Sequence, residues 1–246
     1  MRKSYRELTE EIKTDGERLK LIAALGSSDD LAYHYALISE DWAAGGTLML
    51  ENSFDRHGEA GIVFLLERLR ALGTASKTDE SAAAGTATDT AYLAAKILSQ
   101  LRHRDFYAAR AKELAALLTA RWEISDIALR RKQIIALGWI GSEAEVDVLI
   151  RTMLGDTDAL CRAWAAAALM QLSFHAVDAA FLRERTKIDF AEAIQKEGDL
   201  NTTGIMIEAA QTLFGKKWIS AAAAEAAEPA AIEKAKKSAL RFLGKA

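Results

Sequence analysis

A recurrence across residues 126–173 restricts the fold of this chain more than any other feature. Arg130 is followed at +6, +7 and +8 by Ala136, Leu137 and Gly138; Arg162, 32 residues further on, is followed at the same offsets by Ala168, Leu169 and Met170. Between the two lies a turn, an apolar stretch and a second turn, so the segment reads helix, turn, helix, turn, helix, with the third helix echoing the first. A recurrence of that length marks a stack of helical hairpins, in which each unit hides its apolar face against its neighbours. The pattern constrains architecture and leaves the chemistry open.

Composition agrees with an all-α chain. Apolar residues make up 50% of the 246 and the only proline is Pro229, so long uninterrupted helices are possible. Val/Ile/Thr alternations are few, and no Asn-Gly or Asp-Gly pair joins two strand-like runs, Asp15-Gly16 standing where a helix opens. With 32 basic and 35 acidic residues the net charge is −3, which argues against a strongly electrostatic nucleic-acid binder. One cysteine, Cys161, excludes an internal disulfide and fits a reducing compartment. The opening MRKSYRELTEEIK has no apolar segment after its basic start and is not read as a signal peptide. Residues 163–177 are free of charge but contain Gln171, Ser173 and His175, and they fall short of the ~20 residues of a membrane span. The expectation is a soluble, cytoplasmic protein with no membrane contact.

Helix signals punctuate the chain. Ser4 and Glu7 form a Ser-x-x-Glu capping box, and Ser142 and Glu145 a second. A helix opening at Asp15 should stop at Gly26 in the left-handed conformation that glycine adopts cheaply. A further helix is expected over 31–39, a break or kink at Gly45-Gly46, a turn over 52–58 and a helix over 60–72. The stretch 74–88 is small, polar and aperiodic, and reads as an exposed loop. Helices then follow over 89–101 and 105–120 and, after the repeats, over 175–185, 189–196, 201–214 and 219–227. Pro229 suits the first turn of a last, basic helix.

The run Gly155-Asp156-Thr157-Asp158…Arg162…Ala168-Leu169, preceded by ALRR…ALGWIG, resembles HEAT repeats, most closely the bacterial subfamily named after phycobilisome lyases. In that family an aspartate in the turn and an arginine six residues later form a hydrogen-bonded ladder between units. Asp156 and Arg162 match both positions; Arg130 and Arg18 match the arginine, with Ile124 and Ile12 where the aspartate would stand. The resemblance implies a right-handed α-solenoid, read here as a single domain over 1–246 with 74–88 as an insertion; a separate helical subdomain over 1–73 is the alternative. No particular chemistry follows, because proteins of this class include scaffolds, adaptors, cofactor-attaching lyases and DNA repair glycosylases.

At 100° per residue, Leu129, Arg130, Gln133, Ile134, Ala136, Leu137 and Ile140 share one face, the core side. The opposite face carries Arg131, Ile135 and Trp139. The corresponding positions are Ala163, Ala167 and Gln171, with Trp164 at the edge, in the next repeat. They are Tyr92, Lys96 and Gln100, then Ile207 and Gln211, then Lys234, Ser238 and Phe242 in the weaker ones. In a HEAT-like stack these second helices line the concave surface, so Arg131, Ile135, Trp139, Trp164, Gln171, Tyr92, Lys96, Lys234 and Phe242 are the expected partner-binding residues. Aromatic and arginine side chains are favoured at interface hot spots. Packing of Trp139 and Trp164 between adjacent hairpins is the competing reading.

Catalytic signals are thin. His34, His57, His103 and His175 form no His-x-x-x-His pair, so no metal and no cofactor is expected. Asp55, His57 and Glu59 lie close together in sequence and make an acid/base cluster conceivable, though such spacing is common by chance. Cys161 reads as a small buried apolar residue, with only Arg162 to hint at a lowered pKa. Gly45-Gly46 and Gly58-x-x-Gly61 lack the lysine and strand context of a phosphate loop. The clusters Arg102-His103-Arg104, Arg130-Arg131-Lys132 and Lys216-Lys217 are short and offset by acids. The resulting expectation is a non-enzymatic module that holds a protein or peptide on its concave face, as an adaptor, assembly factor or immunity-type protein does. The alternatives are a HEAT-like DNA repair glycosylase and a bilin lyase-like protein.

Overall fold

The computed structural model describes residues 2–71, 107–120 and 127–244, and among these every regular element is helical. The stretch 74–88 lies outside the described residues, as do Tyr92, Lys96, Gln100 and the 102–104 cluster. Contacts gather the chain into two compact units, Met1–Arg110 and Ala111–Ala246.

The first unit contains α1 (Tyr5–Glu11), α2 (Asp15–Gly26), α3 (Leu31–Ala43), a 3-10 segment (Leu50–His57) and α4 (Gly58–Ala71). Both α1 and α2 open on complete capping boxes, Ser4 with Glu7 and Thr14 with Glu17. Helix α3 runs to Ala43, beyond the expected 39, and ends where Gly45 and Gly46 take left-handed backbone angles of φ 97° and 70°. Their amides close the end by donating to the carbonyls of Trp42 (3.1 Å) and Asp41 (2.7 Å). Gly26 differs from its expectation: the helix ends there, but without a left-handed backbone. It is glycine because the 3-10 segment crosses so closely that a Cβ would stand 2.9 Å from the Ser53 carbonyl oxygen. The expected turn at 52–58 is this 3-10 segment, whose Leu50 and Phe54 are fully buried.

In the second unit, α6 (Ile127–Ile140), α7 (Val146–Gly155), α8 (Ala159–Leu172), α9 (Ala179–Lys196), α10 (Leu200–Leu213), α11 (Ala221–Glu225) and α12 (Pro229–Leu243) follow α5 (Tyr107–Thr119), which carries the boundary between units. Helices α6, α8, α10 and α12 pack side by side in one row; α7 and α9 pair in a second row behind them. That is the paired-helix stacking of an α-solenoid. The expected break between 185 and 189 is absent, and 179–196 is one helix. The second capping box, at Ser142, opens a 3-10 turn that runs directly into α7.

Helix α8 sits in the middle, touching α6, α7 and α10. It is alanine-rich for that reason: Ala163, Ala165, Ala166 and Ala168 are buried and let three neighbours approach. On α6 the expected core face holds, with Ile134, Ala136, Leu137 and Ile140 all at 2% exposure or less. Each such aliphatic side chain larger than alanine contributes roughly 1.5–3 kcal/mol by burial, far more than the few tenths separating helix propensities. Two positions assigned to the open face are corrected: Ala163 and Ile207 are both fully buried, because α8 and α10 have neighbours on more sides than α6.

Candidate functional site

Two features converge on the α6–α8 pair. The first is the turn between α7 and α8. Asp158 is the N-cap of α8 and accepts from the amide of Cys161 (2.9 Å), while Asp156 accepts from the amide of Asp158 (2.8 Å). Helix α6 grips the same turn from the side. Arg130 pairs with the Asp156 carboxylate at 2.8 and 2.9 Å, and Arg131 binds Asp158 in a two-pronged contact at 2.8 and 2.7 Å. Hydrogen bonding from Arg131 holds the Asp158 carboxyl well below the usual carboxylate range.

Arg162 meets Asp156 through the backbone, donating to its carbonyl oxygen at 2.8 Å. Its forward contact is Glu197, again two-pronged, at 2.7 and 3.0 Å. Glu197 closes the next turn, Glu197-Gly198-Asp199, and accepts the amides of Gly198 and Asp199, both at 3.0 Å. Burial pushes the Glu197 carboxyl up, but Arg162 and those amides outweigh burial and leave it below its ordinary value. The ladder therefore runs from the arginine of one repeat to the acid in the turn of the next. Beyond Arg162 it stops: Thr203 stands four residues after the N-cap Asp199, as Arg162 does after Asp158, and its hydroxyl donates back to the Asp199 carbonyl.

The second feature is a groove of about 220 Å³ between α6 and α8, lined by Ile135, Gly138, Trp139, Trp164, Ala167, Ala168, Met170 and Gln171. Four expected partner-binding residues, Ile135, Trp139, Trp164 and Gln171, thus share one depression. Trp164 is 36% exposed, and Trp139 is half-buried. Gly138 shapes the floor, since α6 and α8 are so close there that a Cβ would lie 2.9 Å from the Ala168 Cα. His175, just past α8, donates its Nε2–H to the Trp139 carbonyl (2.7 Å) and fixes the end of α6.

The remaining expected residues lie elsewhere. Arg131 is not in the groove lining, and its guanidinium is engaged by Asp158. Lys234 is exposed on α12. Phe242, also on α12, joins Phe214 and Trp218 in an aromatic cluster (ring centroids 6.1 and 5.8 Å), with Lys216 at 4.5 Å from its ring centroid. Gln211, the counterpart of Gln171 on α10, spends its amide on Trp218 and Ile219. Of the Asp55, His57 and Glu59 group, His57 turns to His34 (2.8 Å) and Glu59 pairs with Arg110 (3.3 Å). Among the described residues no group of three or more His, Cys, Asp or Glu is placed to hold a metal ion, and no helix is long and apolar enough to cross a membrane. Cys161 is fully buried, and burial pushes its thiol up to about 11, the opposite of the lowering that its neighbour Arg162 suggested.

Glu197 is hidden in the sequence because it is not an aspartate and stands 35 residues after its arginine, where Asp156 stands 26 after Arg130. The available signal was the Glu-x-Asp turn repeating Asp-x-Asp immediately before a helix.

No curated protein and no solved structure matches the chain. A protein-family model described as HEAT repeats matches residues 80–170, which include α6, α7 and most of α8. Over that part of its length the chain is similar to HEAT repeats.

Proposed function

We propose that this protein is a non-enzymatic interaction module that binds a protein partner by taking one of its apolar side chains into the α6–α8 groove. HEAT repeats are generally protein-interaction modules, and the carrying observation is the pairing of Trp139 and Trp164 across a groove with no charged residue in its lining. A dry cavity of ~150 Å³ takes a benzene ring, so a 220 Å³ depression has room for one aromatic or branched aliphatic side chain. Gln171 supplies the polar contact, an amide able to donate to and accept from a partner's backbone. Solvent-accessible tryptophan beside small residues is the composition of a binding hot spot.

The same lining favours protein over DNA. A glycosylase groove needs cations for phosphates and a carboxylate for the base, and the lining has neither. A single buried cysteine suits work in a reducing compartment such as the cytoplasm.

Selection of displayed peptides against the full chain tests the reading. The selected sequences should share an uncharged aromatic or aliphatic anchor, and Trp164→Ala should weaken them at least tenfold with helicity unchanged. Ile135→Asp should abolish binding. Peptides that bind both variants as tightly as the parent, or that share only acidic residues, would overturn it.

A further inference from the structure

His34 and His57 belong to the first unit and take no part in the α6–α8 groove. His34, on α3, is fully buried, and its two ring nitrogens are both engaged: Nε2 with the Leu50 carbonyl (3.1 Å) and Nδ1 with Nε2 of His57 (2.8 Å). A carbonyl only accepts, so His34 carries its proton on Nε2. A neutral imidazole has one N–H, so Nδ1 of His34 is the acceptor and His57 donates to it from Nε2. The direction of both bonds is thereby fixed, and Nδ1 of His57 keeps a lone pair. The Phe54 ring packs on both imidazoles, at 5.3 and 5.0 Å between centroids.

Leu50 and His57 are the first and last residues of the 3-10 segment. One buried ring on α3 therefore holds both ends of it. Just outside those ends the backbone is left-handed, at Met49 (φ 54°) and at Gly58 (φ 57°). A second polar tie at this end is the buried Asp41, whose carboxylate accepts the amides of Leu48 (2.9 Å) and Leu50 (3.2 Å).

We propose that the His34–His57 pair is a proton-operated latch that clamps the 3-10 segment to α3 and releases it in acid. The first proton goes to Nδ1 of the half-buried His57, where Asp29 and Asp55 favour the cation, and the bond to His34 survives because Nε2–H still donates. A second proton, on Nδ1 of His34, removes the acceptor and sets two cations against each other. Burial, with His57 adding to it, holds the His34 pKa down to about 4, so release belongs to that second step. Among the charged groups on the surrounding elements, Asp15 is engaged with Arg18 and Glu17 with Thr14 on α2, Asp41 with the two amides on α3, and Glu59 with Arg110 on α4, while Glu40, Arg56, Glu67 and Arg68 are exposed. Lys20, on α2, is exposed.

Hydrogen–deuterium exchange on the full chain, expressed as protection factors, tests this. Between about pH 6.5 and pH 4 the protection of residues 48–58 should fall at least tenfold while that of α8 stays constant. His57→Phe keeps the ring and removes the bond, so its 48–58 segment should exchange at pH 7 as the parent's does at pH 4. Imidazole nitrogen shifts at pH 7 should show both rings as Nε2–H tautomers. A Nδ1–H tautomer at either ring would overturn the latch. So would protection of 48–58 that stays constant to pH 4, or that His57→Phe leaves unchanged at pH 7.

Discussion

The guanidinium of Arg162 reaches 35 residues forward to close on the carboxylate of Glu197 at 2.7 and 3.0 Å, and Arg130 reaches 26 forward to Asp156 in the same way. Both acids occupy the first position of a turn whose third residue caps the following helix. Each contact fastens the second helix of one hairpin to the turn of the next, so the ladder sets the register in which hairpins stack.

Removing one side of such a pair costs more than the pair contributes, because the other charge is left desolvated. The Glu197 side chain is 4% exposed and that of Arg162 22%. Glu197→Gln should therefore destabilise the protein by about 2 kcal/mol, lowering the urea midpoint at unchanged slope. Glu192→Gln removes the exposed pair with Lys196 on the same helix and should change stability by under ~0.5 kcal/mol. Equal effects would mean that Glu197 is not a stacking element.

Arg131 was expected to face a partner, and the structure gives its guanidinium to Asp158. Its side chain is about one-third exposed, so solvent weakens the pair, and Arg131→Ala should cost about 1 kcal/mol. Binding of a groove peptide should change less than threefold, against at least tenfold for Trp164→Ala. Titrating the same peptide into both variants separates the two roles.

The pH dependence of this contact has a definite sign. Asp158 has a depressed native pKa, chiefly through Arg131, against an ordinary aspartate value near 3.9. The unfolded chain takes up the proton first, so the stabilisation is complete above the ordinary value and is lost as the pH falls below it. Asp158→Asn should thus flatten the stability profile between about pH 5 and pH 2. The histidine latch also weakens the fold in acid, since both imidazoles have lowered native values; its contribution is complete above about 6.5 and declines as the pH falls toward 4. Following the stability of the double variant Asp158→Asn, His57→Phe separates the two slopes.

How far the sequence reveals this depends on whether a feature is local to one helix. The core side of α6 follows from 100° of rotation per residue, and the grouping of Ile135, Trp139, Trp164 and Gln171 from that rotation combined with the 32-residue recurrence; both are legible. Ala163 and Ile207 obey the same rotation yet are buried, because burial depends on how many neighbours surround a helix, and one helix's periodicity does not carry that number. Glu197 escaped because α9 has 18 residues where α7 has 10, which destroys the constant interval that exposed the first repeat. His34 and His57 are 23 positions apart with a loop between them, and only the folded first unit brings their rings together.

Gly138 supplies the most direct check on how α6 and α8 form the groove. A glycine inside a helix costs roughly 1 kcal/mol relative to alanine, so substitution by alanine is ordinarily favourable. Here the added Cβ would meet the Ala168 Cα at 2.9 Å and its Cβ at 3.0 Å. A main-chain atom cannot rotate away, so the helices must part. Overpacking of this kind costs about 1–3 kcal/mol, which outweighs the propensity gain. Gly138→Ala should therefore lower stability by about 1 kcal/mol or more and widen the groove, weakening peptides selected against the parent. Gly155→Ala places a Cβ where nothing lies within 4 Å, at a backbone angle any residue tolerates, and should raise stability by about 0.5 kcal/mol with binding unchanged. Paired denaturation and titration of the two variants decide the matter: if Gly138→Ala proves as benign as Gly155→Ala, the close contact between α6 and α8 does not set the floor of the groove.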